Sequence, residues 1–167
     1  SKWFSAIEKE CKNVRENVGL LDMTAFAKCR IKGPGAEAFL DKLVANKLPK
    51  KIGRINLCHA LNTKGGVHSE FTIMRESETS FYLVSAGAFQ RLDHDWILKW
   101  MPNDGSVQFE NLTNSNGVLV VAGPKARELM QKVSKDDFSN ENFKWLSSKM
   151  VDVGYAPVNA MRVNFVG

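Results

Sequence analysis

Residues 27–43 read AKCRIKGPGAEAFLDKL, and residues 118–133 read VLVVAGPKARELMQKV. Each is a short strand-like run that stops at Gly-Pro and restarts as an apolar stripe at helical spacing. In the first, Ala36, Phe39, Leu40 and Leu43 share a helix face; in the second, Ala126, Leu129, Met130 and Val133 do. Proline suits the start of each helix, because the N–H it lacks is one the first turn leaves unpaired. The two stretches lie ninety residues apart at each matched position: 33 and 123, 36 and 126, 43 and 133. A strand–Gly-Pro–helix unit used twice reads as an internal duplication. Two unrelated Gly-Pro helix starts would leave the same trace by coincidence.

Outward from these units the pattern is antiparallel. RINLCHALN (54–62) and GVHSEFTIMR (66–75) are strands joined by a short connection with Gly65 and Gly66. Alternation in the second run puts Val67, Ser69, Phe71 and Ile73 on one face and His68, Glu70, Thr72 and Met74 on the other. A third strand, SFYLVSA (80–86), follows a polar turn, RESET. Phe89, Leu92, Trp96 and Trp100 then form a helical stripe that ends before Pro102. Upstream, Trp3, Ile7, Cys11, Val14 and Val18 recur at helical spacing, with Gly19 as the stop. After residue 106, SVQFENLT, SKMVDVG and VNAMRVNFVG read as further strands around the polar segment SKDDFSNEN. The expected fold is α+β: duplicated strand–Gly-Pro–helix units with antiparallel sheets, helices over one face, and halves of roughly 20–101 and 106–167.

Composition bounds the rest. The 167 residues are 44% hydrophobic and 25% charged, with 10 Phe and 4 Trp, so a sizeable core can be buried. That excludes a disordered chain, a fibre and a disulfide scaffold. No run approaches the ~18 apolar residues of a membrane span, and the opening SKWFSAIEKECK carries no signal-peptide core. A soluble piece of a longer polypeptide is expected, in the cytoplasm or, in a eukaryote, the mitochondrial matrix. Net charge is +5, but the basic residues are dispersed, so neither a nucleic-acid nor a membrane partner is expected. Cys11, Cys29 and Cys58 are odd in number and far apart, which suits a reducing compartment. His59, His68 and His94 lack metal-ligand spacing, so no metal site is expected.

No motif names a reaction unaided: GxSxG, the phosphate-binding GxxxxGK[ST] and a GxGxxG after a strand are all missing from the chain. Gly65-Gly66 could cradle an anion or simply turn a hairpin. Glu70, mid-strand beside Thr72 and Met74, could face solvent or line a pocket. In a partly apolar pocket its carboxyl group would hold its proton more tightly and exchange it near neutral pH.

The runs VGLLDMTAFAKCRIKGPGAEAFLDKL, LNTKGGVHSEFTIMR, GVLVVAGPKARELM and MRVNFVG, spaced over nearly the whole chain, resemble the folate-binding aminomethyltransferase family. That family includes the glycine-cleavage T-protein and the C-terminal folate-binding half of dimethylglycine and sarcosine dehydrogenases. GLLDMTAFAK, RLDHDW and RVNFVG look closer to the dehydrogenase branch. The resemblance implies the N-terminal portion (1–167) of a T-protein-like module, with the remainder of the module absent and the 167 residues alone inactive. It implies a one-carbon unit passed from a methylated, glycine-derived iminium or aminomethyl donor to tetrahydrofolate. FAD would sit in a separate, fused oxidoreductase domain. The alternative is a non-catalytic folate-binding or regulatory module of a larger oxidoreductase.

Carried over residue by residue, the family's acidic position after the Gly-Gly turn falls on Glu70, where T-proteins usually have Asp. Phe26 falls on a pterin-pocket wall. Leu57 stands where the family has Tyr, Ala86 where it has Asn, and Phe165 where it has the Tyr of a GYTGE motif. Trp145 falls near another aromatic ring contact. Phe26, Leu57 and Phe165 would serve equally as core residues. The polar groups lost at 57, 86 and 165 imply folate held by stacking and by Glu70, a shifted substrate, or lost folate activity.

Overall fold

The computed structural model describes residues 2–164, so Phe165 lies outside the described residues. Helix α1 (Lys2–Glu16) precedes strands β1 (Gly19–Asp22) and β2 (Ala27–Lys32), helix α2 (Ala36–Leu43), and strands β3 (Ile55–Leu61), β4 (Val67–Ser77) and β5 (Ser80–Ser85). Helix α3 (Gln90–Trp100), strands β6 (Gln108–Asn111) and β7 (Leu119–Ala122), helix α4 (Ala126–Val133) and strands β8 (Ser147–Val153) and β9 (Ala156–Arg162) follow. A five-stranded antiparallel sheet runs β3-β4-β5-β2-β6, accompanied by the ribbons β1-β7 and β8-β9.

Both Gly-Pro units are built alike. Gly33 and Gly123 take φ of 124° and 123°, a region glycine enters without Cβ strain. A Cβ would lie 2.4 Å from the Ser106 carbonyl oxygen at Gly33 and 2.5 Å from that of Asn17 at Gly123. Those two carbonyls also accept the N–H groups of Gly35 and Lys125, at 3.0 and 2.9 Å. Ser106 leads into β6 and Asn17 into β1, so each turn is received by the residue ahead of a strand distant in sequence. The strands repeat the exchange: β6 pairs with β2, and β1 pairs with β7.

One face of the large sheet carries the main core. Cys29, Ile31, Cys58, Ala60, Phe71, Ile73, Phe81 and Leu83 pack there with Phe39, Leu40 and Leu43 of α2 and Ile97 of α3. The opposite face is covered only in part: Ile55, Met74 and Tyr82 meet Leu112, Leu146 and Met161. Beyond that cover the face is open.

Two details depart from alternation. The β3–β4 register slips by one residue between Ala60/Ser69 and Leu61/Val67, and His68 is the extra residue of the bulge. The bulge turns its ring onto Trp96 of α3, with centroids 4.0 Å apart, away from the face of Glu70 and Thr72. In α3 the buried residues are Asp93 and Ile97, whereas Phe89, Leu92 and Trp100 of the apolar stripe are exposed. Among the described residues, no helix is long and apolar enough to cross a membrane.

All three cysteines are free. Burial, aided by the nearby Asp93 carboxylate, pushes the Cys29 thiol up to about 12, and burial pushes Cys58 up to about 11. Under native conditions an alkylating reagent should therefore modify Cys11 alone, with two further thiols titrating after unfolding. Native modification of Cys29 or Cys58 would contradict this packing. The folded chain also keeps both buried thiol protons above pH 9, where the unfolded chain releases them. Their contribution to stability is thus complete below pH 9 and disappears as pH rises through about 11 to 12.

Candidate functional site

The open part of the second sheet face is built by period-two geometry from four strands. Leu57 of β3 stands opposite Thr72 of β4, Thr72 opposite Val84 of β5, and Val84 opposite Lys28 of β2. One row further, His59 stands opposite Glu70. Continuing the two central ladders past their last paired residues brings Ala86 level with Glu70 and Phe26 level with Ala86. Four of the residues expected at the site, Phe26, Leu57, Glu70 and Ala86, therefore share one face and its rim. Leu57 is 50% exposed, a large apolar side chain presented to the open side. Glu70 is exposed as well, its side chain at 56%, in place of the enclosed carboxyl group expected for a pocket residue.

Phe26 belongs to the turn between β1 and β2. Its N–H bonds to the Met23 carbonyl at 3.0 Å, and the N–H of Thr24 bonds to an Asp22 carboxylate oxygen at 2.9 Å. Hydrogen bonds from Thr24 hold the Asp22 carboxyl below the usual carboxylate range. Facing this turn, the chain leaves β5 through extended Ala86 into a short 3-10 turn, Gly87–Phe89. The approach is close: a Cβ at Gly87 would lie 1.9 Å from the Ala25 carbonyl oxygen. Between the two segments lies an open cleft of about 380 Å³ lined by Asp22, Met23, Ala25, Phe26, Gly87 and Ala88.

Lys28, which the sequence reading did not single out, lies beneath this rim and is fully buried. Its Nζ donates to the Thr24 carbonyl at 2.6 Å, fastening the turn that carries Phe26. Burial lowers its pKa, against the opposing pull of Asp22. Alternation within AFAKCRIK places Phe26 and Lys28 on the same face, so the signal was present in the sequence.

The hairpin turn organises itself. The side-chain oxygen of Asn62 accepts the N–H groups of Lys64 and Gly66 at 2.9 and 3.1 Å, and Gly65 takes φ of 80°. Those amides are occupied, which favours the turn reading of Gly65-Gly66 over an anion cradle.

His59 is the second residue that the sequence reading missed. Its Nε2 lies 2.9 Å from Oε2 of Glu70, and its Nδ1 lies 3.3 Å from the side-chain oxygen of Asn46. Counting the register outward from Asn62–Gly66 would set residue 59 opposite Ser69; the bulge at His68 shifts it to Glu70, so the pair could not be counted from the turn alone.

Trp145 lies on the segment that runs beside the start of β3, where the Leu146 carbonyl accepts the N–H of Ile55 at 3.0 Å. The Trp145 carbonyl accepts from Arg54 at 3.0 Å, its ring is exposed, and the next residue, Leu146, joins the cluster that covers the far end of the face. The described residues thus gather Phe26, Leu57, Glu70 and Ala86, and leave Trp145 on the covering segment.

A family profile described as the GCVT N-terminal domain matches residues 1–167. Dimethylglycine dehydrogenase, mitochondrial, of Mus musculus is 36% identical over 168 residues, covering 100% of this chain and 19% of that protein. The pyruvate dehydrogenase phosphatase regulatory subunit, mitochondrial, of Mus musculus is 32% identical over 163 residues, covering 96% of this chain and 18% of that protein. Among solved structures, the glycine cleavage system aminomethyltransferase T from Bartonella henselae superposes with a TM-score of 0.74 at 21% identity, over 84% of this chain and 37% of that one. That likeness is one of fold. The chain spans about a fifth of the length of these two curated relatives.

Proposed function

The chain belongs to the GCVT family, and on that premise we propose that it is part of a module that passes a one-carbon unit from a methylated, glycine-derived amine donor to tetrahydrofolate. One observation carries the reading: the Glu70 carboxylate stands on the open part of the sheet face, two residues along β4 from the Thr72–Leu57 pair and next to the Phe26 cleft. The residues present fit a flat heteroaromatic ring. Leu57 and Phe26 offer apolar contact, and Glu70 offers an acceptor for ring or bridge N–H groups. Ala86, Leu57 and Phe26 bring no polar side-chain atoms, so Glu70 alone among the four residues gathered on this face would supply polar recognition. Trp145 and Phe165 are proposed as further ring contacts.

Tetrahydrofolate, when bound, supplies the nitrogen nucleophiles that accept the carbon unit. The chain's own part is positioning and proton handling: Leu57 and Phe26 orient the ring, and Glu70 takes up or returns a proton at its carboxylate. FAD chemistry that generates the donor is proposed for a separate oxidoreductase domain of the same polypeptide. The ninety-residue repetition supports reading residues 20–101 and 106–167 as related halves of the module.

Calorimetric titration of the natural protein with tetrahydrofolate tests the site. Saturable binding is expected, and Leu57→Ser should weaken it roughly ten- to hundredfold, matching the ~1.5–3 kcal/mol of one buried Leu side chain. Affinity unchanged by Leu57→Ser would remove this face as the site. A second reading, a non-catalytic folate-binding or regulatory module, is favoured by the apolar residues at 57 and 86. A relative that carries the name of a regulatory subunit also supports it. It shares the binding prediction and differs in the response to Glu70→Gln.

A further inference from the structure

Several strands and helices before and after Gly105 correspond in place. Strand β2 and helix α2 match β7 and α4 at an offset of ninety residues, and β1 (19–22) matches β6 (108–111) at an offset of 89. Strand β8 (147–153) has the length of β3 (55–61), and β9 begins at 156 as β4 begins at 67. Hydrogen bonds repeat as well: the Leu112 N–H donates to the Lys28 carbonyl, and the Met23 N–H to the Val118 carbonyl, each at 2.9 Å. The correspondence fails in one place. Beyond β2 stands β5, which joins β2 to β4 in one sheet. Beyond β7 no strand stands among the described residues, so β1-β7 and β8-β9 remain separate ribbons.

The edge of β7 is open in backbone and in side chain. Residues of an antiparallel pair alternate between bonding their partner and turning N–H and C=O away from it. The Met23–Val118 bond sets that alternation: Val120 and Ala122 face β1, while Leu119 and Val121 turn their backbone groups to the open side. Their counterparts ninety residues earlier, Cys29 and Ile31, pair with Leu83 and Phe81 of β5. Cys29 is 3% exposed, whereas Leu119, in the same place on β7, is 65% exposed. A two-stranded ribbon with apolar residues and bare edges is marginal in water. Helix α4 links the two ribbons. It follows β7 through Gly123, and its Met130 packs against Phe138, Phe143 and Val151, the last of these on β8.

We propose that the open edge of β7 accepts one further antiparallel strand, and that its occupant is the stretch of the same polypeptide that follows β9, at about positions 170–175, where the ninety-residue offset carries β5 (80–85). Inserted there, it gives the order β8-β9-new strand-β7-β1, the counterpart of β3-β4-β5-β2-β6. Positions 171 and 173 then stand opposite Val121 and Leu119, and apolar side chains belong at both, as at Phe81 and Leu83. The slot is defined by register alone and is independent of the ligand of the other sheet.

Hydrogen exchange in the natural polypeptide reads the edge. The amides of Leu119 and Val121 should exchange at least about a hundredfold more slowly than in a free chain, as those of Cys29 and Ile31 do, at every protein concentration. Free-chain exchange at 119 and 121 would overturn the acceptor edge. Protection that grows with protein concentration would assign the edge to a second copy and overturn the occupant. Cross-linking then identifies the strand. In a Cys11→Ser background, Val120→Cys is combined with one cysteine placed in turn at positions from 168 to about 178. Oxidation should close a disulfide within one chain, best near position 172, which stands to Val120 as Tyr82 stands to Arg30, and at alternate positions around it. Disulfides between two chains, or none at any position, would overturn the assignment.

Discussion

Glu70→Gln is expected to lower formation of methylenetetrahydrofolate by about 10²–10⁴-fold, the range that one positioned acid–base group contributes, while tetrahydrofolate still binds. The substitution keeps the size of the side chain and its place on β4, opposite His59. It takes away the ability to gain or lose a proton at neutral pH. Glu70 is exposed, so the folded state should be altered by no more than ~0.5 kcal/mol, and a thermal melt will separate chemistry from stability. Single-turnover transfer and equilibrium binding measured side by side decide the matter. Turnover retained in Glu70→Gln would sink the enzymatic reading and leave the non-catalytic module.

Arg75→Met should be the most destabilising of the substitutions considered, by about 3 kcal/mol, which corresponds to a fall in Tm of roughly 6–12 °C for a chain of this size. The Arg75 side chain is only 8% exposed and lies over the Phe81 ring, with its guanidinium carbon 4.9 Å from the centroid. It is paired with Glu37 of α2 through both terminal nitrogens. It also donates to the carbonyls of Ser77 at 3.2 Å, Glu78 at 3.0 Å, Lys50 at 3.3 Å and Pro49 at 3.4 Å. One planar fork thus joins the helix, the loop after it and the β4–β5 turn, a geometry that Lys could not reproduce. Methionine fills much of the volume but satisfies none of those acceptors. Glu37 itself is half exposed and regains water, which keeps the loss toward the lower end of the range for broken buried pairs. A loss below ~1 kcal/mol in denaturant titration would show that the fork contributes little.

Much of the architecture can be read from local chemistry. The Gly-Pro turns and the hairpin after Leu61 are short-range decisions made by φ-permissive glycines and by alternation. The hidden features depend on contacts between distant residues. His68 obeys alternation in the sequence and violates it in the structure, because one residue of slip against β3 rotates it toward Trp96. The stripe of Phe89, Leu92, Trp96 and Trp100 suggests a buried face; Trp96 does pack against the core, but the other three are exposed and the sheet receives Asp93 and Ile97. A hydrophobic stripe states that a helix is amphipathic; which face meets the sheet is decided by packing between distant residues. For the site, Glu70, Phe26, Leu57 and Ala86 entered through family resemblance. Lys28 follows from alternation with Phe26, whereas His59 needed the register of the bulged β3–β4 ladder, which fixes who stands opposite whom.

Strand β1 pairs with β7, and β6 pairs with β2, so chain segments some 80 to 100 residues apart complete each other's ladders. Each Gly-Pro turn likewise ends on a carbonyl from the distant segment, Ser106 for Gly35 and Asn17 for Lys125. A cut in the linker between residues 101 and 106 would leave two pieces still joined by these ladders, as the arms of a clasp stay closed together. Tethering fixes their ratio at one to one and makes the closure intramolecular, so the pairing persists at any dilution.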